Sequence, residues 1–408
     1  MSCAHIDVAD QRDEAPNGRP ITMRDIAIHC GVSIWTVSLA LRHDPRVAER
    51  TTALVLAAAA ELGYDPAVHQ AARRLVSRRL GTEVANNVIG LLLPPHFQAA
   101  NYYAYTSLGV LDQLASEGYG VINSYLPIEQ SETMPRMPSI YSRGEVDGAI
   151  GGGYLFNEQA MQLLRGNPGF GTRPVVSLLM RVQGCSVILA NDRQGGYLAT
   201  RHLLEIGHRH ILHYYLPTWA PMLAERLAGA CQAMREAGLD PERYLHMADE
   251  YFFGFLVPPQ HLRLPDLSSD SDEDKAIRKS LDLLVARLRE HPEITAILAP
   301  NDPTARRLWY TLPYYGIRVP EDLSLIGFDD TDGVPDMCGR NLLTTVRLPL
   351  EQVGQEAARL MIHHLASKSK TPEEIVLPTE LVVRSSTAPP RTEALAASAF
   401  CSARAVRV

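Results

Sequence analysis

Hydrophobic positions near the start of the chain follow the period of short α-helices. Ile26 and Ala27 fall on one face of a first helix, and Thr22 with Asp25 forms a capping pair at its start. Gly31 interrupts the pattern, and a glycine tolerates the left-handed backbone that a tight turn between helices needs. The pattern therefore predicts a helix that ends in a sharp turn.

Two further helical patterns follow this turn. Ser33 can cap a second helix from Ile34 to Arg42, and a third runs from about Ala48 to Leu62 before Gly63. Residues expected to point inward are Val37 and Leu41 in the second helix and Leu54, Val55, Ala58 and Leu62 in the third. Three short helices with this turn predict a helix-turn-helix domain, and the spacing alone equally allows a generic three-helix bundle.

From Asn87 onward, short apolar runs alternate with helical patterns. Continuous apolar strands separated by helices predict a parallel sheet covered on both faces. About 300 residues are too many for one core of this kind, so we expect two α/β lobes. The expected strands are 88–94, 120–124, 146–150, 175–179, 187–190, 211–215, 295–299 and 324–328, with a helix at about 105–117.

Composition and charge refine this picture. The chain has 408 residues and a net charge of -7, yet 19–80 carries nine Arg against five Asp and Glu. A basic segment on an acidic body suits a DNA-binding head on a sensor, although ordinary scatter explains it as well. Six dispersed cysteines predict reduced thiols, and no leader or membrane segment is seen, so a cytoplasmic, nucleoid-associated protein is expected.

Motifs for catalysis are not found, so we expect no enzyme, no catalytic residue and no cofactor. The chain has no G-x-S-x-G, H-E-x-x-H or P-loop sequence. Four histidines, His202, His208, His210 and His213, are close in sequence, but their spacing is not a known ligand set, and no metal site is predicted.

Residues 21–66 resemble the headpiece of the lactose-repressor (LacI/GalR) family. The matching core is D-I-A…G-V-S-x-x-T-V-S, followed by V…T…V…A…L-G-Y-x-P. The resemblance implies a second helix that lies in the major groove of DNA. Residues it assigns to DNA binding are Thr22, Ser33, Ile34, Trp35, Thr36, Ser38, Leu39 and Arg42.

Two departures from the family pattern change the expected contacts. Leu39 stands where the family often has a base-reading arginine, and a leucine makes only apolar contacts, for example to a thymine methyl. Ala48 replaces the usual serine cap of the third helix, which removes one phosphate contact. The operator sequence is therefore not transferable from relatives.

The segment after Pro66 resembles the family's hinge, which inserts a leucine into the minor groove. Ala72-Arg73-Arg74-Leu75 matches the usual pattern about two residues late. Leu75 is the expected wedge, and Arg73 and Arg74 are expected to meet phosphates. The alternative is a solvated basic linker.

The remainder resembles the family's periplasmic-binding-protein-like domain, with weak matching in 95–140 and in 240–290, where SSDSDEDK indicates an acidic surface insertion. Matching blocks include EVDGAI and GGYLATRHLLEIGHRHI. The resemblance implies an effector between two lobes, at the carboxyl ends of strands. Residues placed there are Asn101, Tyr102, Tyr103, Asp192, Arg226, Asn301, Asp302 and Asp329.

Each of these assignments has a structural alternative. Asp302 can simply cap a helix, Asp329 can lie in a solvated turn, Arg226 on a helix surface, and Tyr102 and Tyr103 in the core. Asp192 is the weaker acidic candidate.

The fold class expected overall is an all-α helix-turn-helix headpiece followed by an α/β two-lobed periplasmic-binding-protein-like domain. The expected divisions are a disordered tail in 1–19, the DNA-binding domain in 20–66, a hinge in 67–86, the effector and dimerisation domain in 87–389, and a disordered tail in 390–408.

The expected function is transcriptional regulation, as a repressor. A homodimer would bind an approximately palindromic double-stranded DNA operator under the control of a sugar or sugar derivative. The alternatives are a solute-binding protein and a sugar-processing enzyme on the same scaffold.

Overall fold

A computed structural model describes residues 21–41, 43–64, 85–93, 101–124, 138–153, 156–214, 221–247, 271–368 and 371–391. They form two compact units, one ending at Asn86 and the other beginning at Asn87. The predictions for the N-terminal tail, for Arg42, for the hinge residues Arg73, Arg74 and Leu75, and for nearly all of the C-terminal tail lie outside the described residues.

The first unit contains three helices, α1 (Met23–Cys30), α2 (Ile34–Ala40) and α3 (Glu49–Glu61). The predicted capping box is confirmed, because the Thr22 side chain accepts from the Asp25 backbone and the Asp25 side chain from the Thr22 backbone. Gly31 ends α1 in the left-handed region at φ 64°. The cap expected at Ser33 is also confirmed, whereas Ala48 gives α3 no side-chain cap.

An apolar cluster joins the three helices. Ile26, Val37 and Val55 are fully buried in it, as predicted. Leu54 was expected in the same stripe, but it is 51% exposed, so that prediction is wrong. The buried face of α3 begins at Val55, and Leu54 lies one residue, or about 100°, away from it around the helix.

The second unit contains two sheets. Its strands are β1 (Val88–Leu92), β2 (Gly120–Ser124), β3 (Gly148–Gly152), β4 (Val175–Leu178), β5 (Ser186–Ala190), β6 (His210–His213), β7 (Leu245–Met247), β8 (Ile294–Leu298), β9 (Ser324–Asp329), β10 (Thr344–Arg347), β11 (Glu374–Leu377) and β12 (Glu380–Val382). Its helices are α4 (Asn101–Ser116), α5 (Ser139–Ser142), α6 (Glu158–Arg165), α7 (Asp192–Glu205), α8 (Pro221–Glu236), α9 (Pro241–Tyr244), α10 (Asp272–Glu290), α11 (Asp302–Thr311) and α12 (Leu350–Ser367), with a 3₁₀ turn at Leu312–Tyr315.

Each sheet organises one lobe. Among the described residues, the first sheet has the order β11-β5-β4-β3-β1-β2 and the second β12-β10-β9-β8-β6-β7. All neighbours are parallel except β10 and β12. This confirms the expected two-lobed α/β architecture with parallel strands buried by helices.

The chain passes between the lobes three times in the described residues. It leaves the first sheet after β5, returns after β10 through α12, which packs on α4, and crosses again between β11 and β12. Each lobe is therefore built from separated stretches of sequence.

Glycines allow α7 and α8 to approach closely. A Cβ atom on Gly196 would lie 2.0 Å from the carbonyl oxygen of Arg226, and one on Gly229 would lie 1.9 Å from that of Arg193. Real Cβ atoms do not approach backbone atoms so closely, so only glycine permits this crossing. The contact brings the Arg226 backbone against the first turns of α7.

His208 fastens the closing segment of the chain to the second sheet. Its Nδ1 lies 2.7 Å from the Thr295 hydroxyl, and its Nε2 lies 3.0 Å from the Ser324 hydroxyl and 2.9 Å from the Ala388 carbonyl. Burial lowers the pKa of His208 to about 4. The side chain is thus a neutral structural group, and its protein partners occupy both nitrogens.

The stretch SSDSDEDK was predicted to be an acidic surface insertion, but part of it is helical in the structure. From Asp272 onward it forms the first turn of α10, with Ser271 as the cap and Asp274 buried. Acidic side chains are favoured there because the helix N-terminus is electropositive. In the described part of the chain, no helix is both long and apolar enough to span a membrane.

Candidate DNA-reading face and effector cleft

The start of α2 presents two large apolar side chains to solvent. Ile34 is 47% exposed and Trp35 is 63% exposed, and neither side chain belongs to the apolar cluster of the headpiece. The guanidinium of Arg46 lies 5.7 Å from the centre of the Trp35 ring, and Asp44 holds Arg46 in a two-point ion pair. This exposed aromatic and cationic surface has the chemistry of a nucleic-acid contact.

Polar residues assigned to DNA binding are partly engaged in capping. The Ser33 hydroxyl accepts from the Thr36 backbone at 3.0 Å and lies 2.8 Å from the Thr36 hydroxyl. The Thr22 hydroxyl donates to Asp25 at 2.7 Å. These side chains fix the helix starts, and Ser38 is half-buried on α2.

Unlike Ile34 and Trp35, Leu39 is a predicted DNA-binding residue whose side chain is buried. Only 2% of it is exposed, so the prediction that it stands ready to contact a base is wrong for this structure. It lies about 200° around the helix from Val37 and is not part of the headpiece cluster. The physical reason is its side chain: a leucine gains roughly 1.5–3 kcal/mol from burial, whereas the arginine expected there would stay in water.

Four of the predicted effector residues come together at the carboxyl ends of the strands. Asp192 follows β5, Asp329 ends β9, Arg226 reaches in from α8, and Tyr102 lies in the first turn of α4. The pKa of the Tyr102 phenol is raised well above its usual range, first by burial and then by the charges of Asp329, Tyr103 and Asp192. The cluster therefore combines groups from both lobes.

Arg226 is the centre of this cluster. It is 4% exposed, its Nε donates to Asp192 Oδ1 at 2.7 Å, and one terminal nitrogen donates to the Pro300 carbonyl at 2.6 Å. The guanidinium also lies over Phe328, 3.5 Å from the ring centre. A planar donor held on three sides is oriented before any ligand arrives. The alternative of a surface position for Arg226 is excluded by this burial.

Asp329 has spare hydrogen-bonding capacity. Its side chain is 10% exposed, and its Oδ1 lies 3.7 Å from an Arg226 nitrogen, with no hydrogen-bond partner among the described residues. Burial raises its pKa to about 8, and the charge of Arg226 opposes that rise. The backbone of Asp329 has φ 102°, which is unusual for a non-glycine residue and is typical of functional sites.

The two tyrosines differ in their surroundings. The rings of Tyr102 and Tyr103 meet edge to face at 5.1 Å, and both pack against the main apolar cluster. The charges of the acidic groups Asp329 and Asp192 act on the pKa of Tyr102. Tyr102 is therefore the tyrosine nearer the cleft chemistry, and Tyr103 supports it.

Asn101 joins the two lobes directly. Its side-chain nitrogen donates to the Thr331 carbonyl at 2.9 Å, although the two residues are 230 positions apart in sequence. Thr331 belongs to the loop after β9, next to Asp329 and Asp330. A contact of this kind depends on the angle between the lobes.

Protein groups bond to both members of the neighbouring pair Asn301 and Asp302. Asn301 caps α11 by accepting from the Thr304 backbone at 2.9 Å. Asp302 is fully buried; its Oδ2 accepts from the Thr331 backbone at 2.8 Å and its Oδ1 from the Thr345 hydroxyl at 2.5 Å. Because Asp302 is fully buried and both of its oxygens accept bonds from the protein, its contact with an effector stays a prediction. In this structure Asp302 positions the loop.

Three groups that contact the site residues were not predicted from the sequence. Phe328 lies in a continuous apolar strand and resembled a core residue, although its place directly before Asp329 was a usable signal. Arg46 follows α2 in a loop, outside the helix that carried the family motif. The role of the Pro300 carbonyl has no side-chain signature at all.

Comparison with known proteins agrees with both parts of this architecture. Residues 22–67 match the profile of bacterial regulatory proteins of the lacI family, and residues 200–387 match that of the periplasmic binding protein-like domain. The first unit thus matches a lacI-family regulatory domain, and much of the second unit matches a periplasmic binding protein-like domain, in agreement with the helices and sheets described above.

Curated proteins similar to this chain match nearly its whole length. The HTH-type transcriptional regulator DegA of Bacillus subtilis is 28% identical over 376 residues, which are 91% of this chain and 99% of DegA. A structure of the transcriptional regulator CelR with cellobiose is 25% identical, with TM-score 0.53, and covers 90% of this chain and all of that one. A LacI-family regulator from Enterococcus faecium with bound ribose is 25% identical, with TM-score 0.55, and covers 74% of this chain and all of that one.

Proposed function

We propose that this protein is a DNA-binding transcriptional repressor whose operator affinity is set by a sugar or sugar derivative bound between its lobes. The observation that carries the proposal is the buried Oδ1 of Asp329, which has no hydrogen-bond partner in the described residues and lies beside the oriented guanidinium of Arg226. A sugar hydroxyl can donate to the carboxylate and accept from the guanidinium at once. The sugars bound by CelR and by the Enterococcus regulator support the same class of ligand.

The effector would act through the arrangement of the two lobes. The hydrogen bond from Asn101 to Thr331 joins the lobes, and a change in the angle between them breaks or remakes it. The effector then shifts the equilibrium by binding the two lobe arrangements with different affinities.

On the DNA side, we propose a homodimer on an approximately palindromic operator. A two-fold axis in the protein matches a two-fold axis in the DNA, and each headpiece then reads one half-site. Trp35 and Ile34 are the exposed side chains of α2 available for apolar base contacts, while Arg46 is suited to a phosphate. Apart from Leu39, all the earlier DNA-binding assignments, in the headpiece and in the hinge, remain predictions.

The experiment is a fluorescence-anisotropy titration of the purified protein with its own promoter region, with and without a panel of monosaccharides and disaccharides. We expect specific binding at physiological salt and a change of at least about tenfold in the dissociation constant with one sugar class. Asp329→Ala should abolish the sugar response without changing sugar-free DNA binding. Equal affinity for promoter and random DNA would refute the regulator function.

Proton release provides an independent test of the cleft. Because the pKa of Asp329 is about 8 before ligand arrives, a sugar hydroxyl that donates to the carboxylate favours its ionised form. Calorimetry of the active sugar at pH 7 in buffers of different ionisation enthalpy should therefore detect up to about one proton released per site. Binding with no proton exchange would show that the sugar does not convert Asp329 to its ionised form, and so would contradict a sugar hydroxyl that donates to the carboxylate.

A further inference from the structure

Three histidines and a glutamate meet at the edge of the second sheet opposite the effector cleft. His210 begins β6, His246 is the middle residue of β7, and His291 and Glu293 lie in the turn just before β8. Because β6, β7 and β8 are parallel neighbours, their amino ends lie side by side. Leu212 pairs with His246, and His210 is two residues before Leu212, so both histidines project from the same face of the sheet.

The ligand atoms are already close together. His210 Nδ1 and His246 Nε2 are 3.0 Å apart, and one atom from each of His210, His246 and Glu293 lies within 4.8 Å of the others. Two nitrogens bound to one tetrahedral zinc at about 2.05 Å are about 3.3 Å apart. The pair therefore needs little movement to bind a common ion in place of the shared proton.

Glu293 lies within hydrogen-bonding distance of His291. Its Oε1 lies 3.1 Å from His291 Nδ1, and the His291 ring packs 5.4 Å from that of His246. Carboxylate–histidine hydrogen bonds of this kind orient metal ligands in known sites. The side chains of His291 and Glu293 are 39% and 40% exposed, which leaves an entry path from solvent.

The chemistry of the three donor groups also suits a cation. Arg243 and Arg287 are the opposing positive charges, and the Glu293 carboxylate is the compensating negative one. The donor set of two imidazoles and one carboxylate is typical of zinc and other late first-row ions.

We propose that His210, His246 and Glu293 bind one divalent transition-metal ion, with zinc as the expected ion and water in the fourth position. His291 is a positioning residue that holds Glu293. The ion links the amino ends of β6, β7 and β8 in the effector-binding domain. This site lies apart from the effector cleft, so it stands or falls independently of the sugar proposal.

The test is metal titration of full-length protein that carries no polyhistidine tag and has been stripped with a chelator. Zinc is titrated in competition with a chromogenic chelator, and cobalt is followed by its visible absorption, which reports coordination number. We expect one tight zinc per chain and a four-coordinate cobalt spectrum. His246→Ala should weaken binding at least about 100-fold, and His291→Ala should weaken it about 10–100-fold.

The matched control is His363→Ala, which removes a histidine from α12, far along the chain from the cluster. It should leave zinc affinity unchanged. If His246→Ala does not fold, as judged by circular dichroism without metal, His210→Gln replaces it with the same expected loss. The proposal is overturned if the wild-type protein takes up no stoichiometric zinc, or if the cluster variants bind as tightly as His363→Ala.

Discussion

Substituting Asp329 by asparagine tests the electrostatics of the cleft without a ligand. The folded protein holds a proton on Asp329 up to a pKa of about 8, whereas the unfolded chain releases it near 3.8. Between these values the folded state binds more protons than the unfolded state. The free energy of unfolding therefore falls as the pH rises through this window.

The size of the effect follows from the same two values. Each pH unit inside the window changes the free energy of unfolding by about 1.4 kcal/mol, so the change from pH 5 to pH 8 amounts to about 4 kcal/mol. The amide of an asparagine side chain does not titrate in this range. The Asp329→Asn variant should consequently gain about 4 kcal/mol relative to the wild type between pH 5 and pH 8.

Urea unfolding at pH 5, 6, 7 and 8, followed by near-ultraviolet circular dichroism, measures this difference. Asp112→Asn is the matched control, because Asp112 is an exposed carboxylate on α4. Its stability should run parallel to that of the wild type. Parallel curves for Asp329→Asn as well would refute the argument that a buried, protonated Asp329 occupies the cleft.

Three other substitutions address the helix crossing, the closing segment and the DNA-reading face. Gly196→Ala puts a Cβ against a backbone carbonyl and should cost about 1–3 kcal/mol in urea unfolding, whereas Gly120→Ala meets only ordinary contacts and should cost less. His208 has a folded pKa of about 4, so the free energy of unfolding decreases by about 3 kcal/mol as the pH falls from 6.5 to 4. The His208→Gln variant should lose this pH dependence in the same assay. Trp35→Ala should weaken specific operator binding by roughly 1–3 kcal/mol in anisotropy and leave non-specific binding unchanged, while a similar effect from Leu54→Ala on α3 would contradict a role confined to α2.

The helices and most strands were predictable because their apolar periods are strong. Capping by Thr22 and Ser33 and the turn at Gly31 depend on local chemistry that the sequence displays directly. The strand β12 lies in the stretch LPTELVVRSSTAPP, which resembles the family's closing strand, whereas β7, β10 and β11 were not identified. They have three or four residues each, and β11 is only partly buried, so neither length nor apolar continuity distinguishes them.

The site residues also differ in whether local sequence or three-dimensional packing decides their role. Arg226 and Asp329 follow from the resemblance and from the rule that ligands lie at the carboxyl ends of strands. The burial of Asp302 and Leu39 did not, because burial of one side chain depends on what surrounds it in three dimensions. The cluster of His210 with His246 joins residues 36 positions apart, and only the sheet order brings them together.

The threefold passage of the chain between the lobes constrains its synthesis. The first lobe is complete only when α12 and β11 have been made. Between β5, which ends at Ala190, and α12 the ribosome must first make the second lobe as far as β10. At about 5–20 residues per second, a ribosome needs roughly 10 to 30 seconds to make that intervening stretch. During this time the nascent first lobe exposes the apolar surface that α12 later covers. We therefore expect newly made chains to depend on chaperones in this interval, and truncations that end before Leu350 to aggregate.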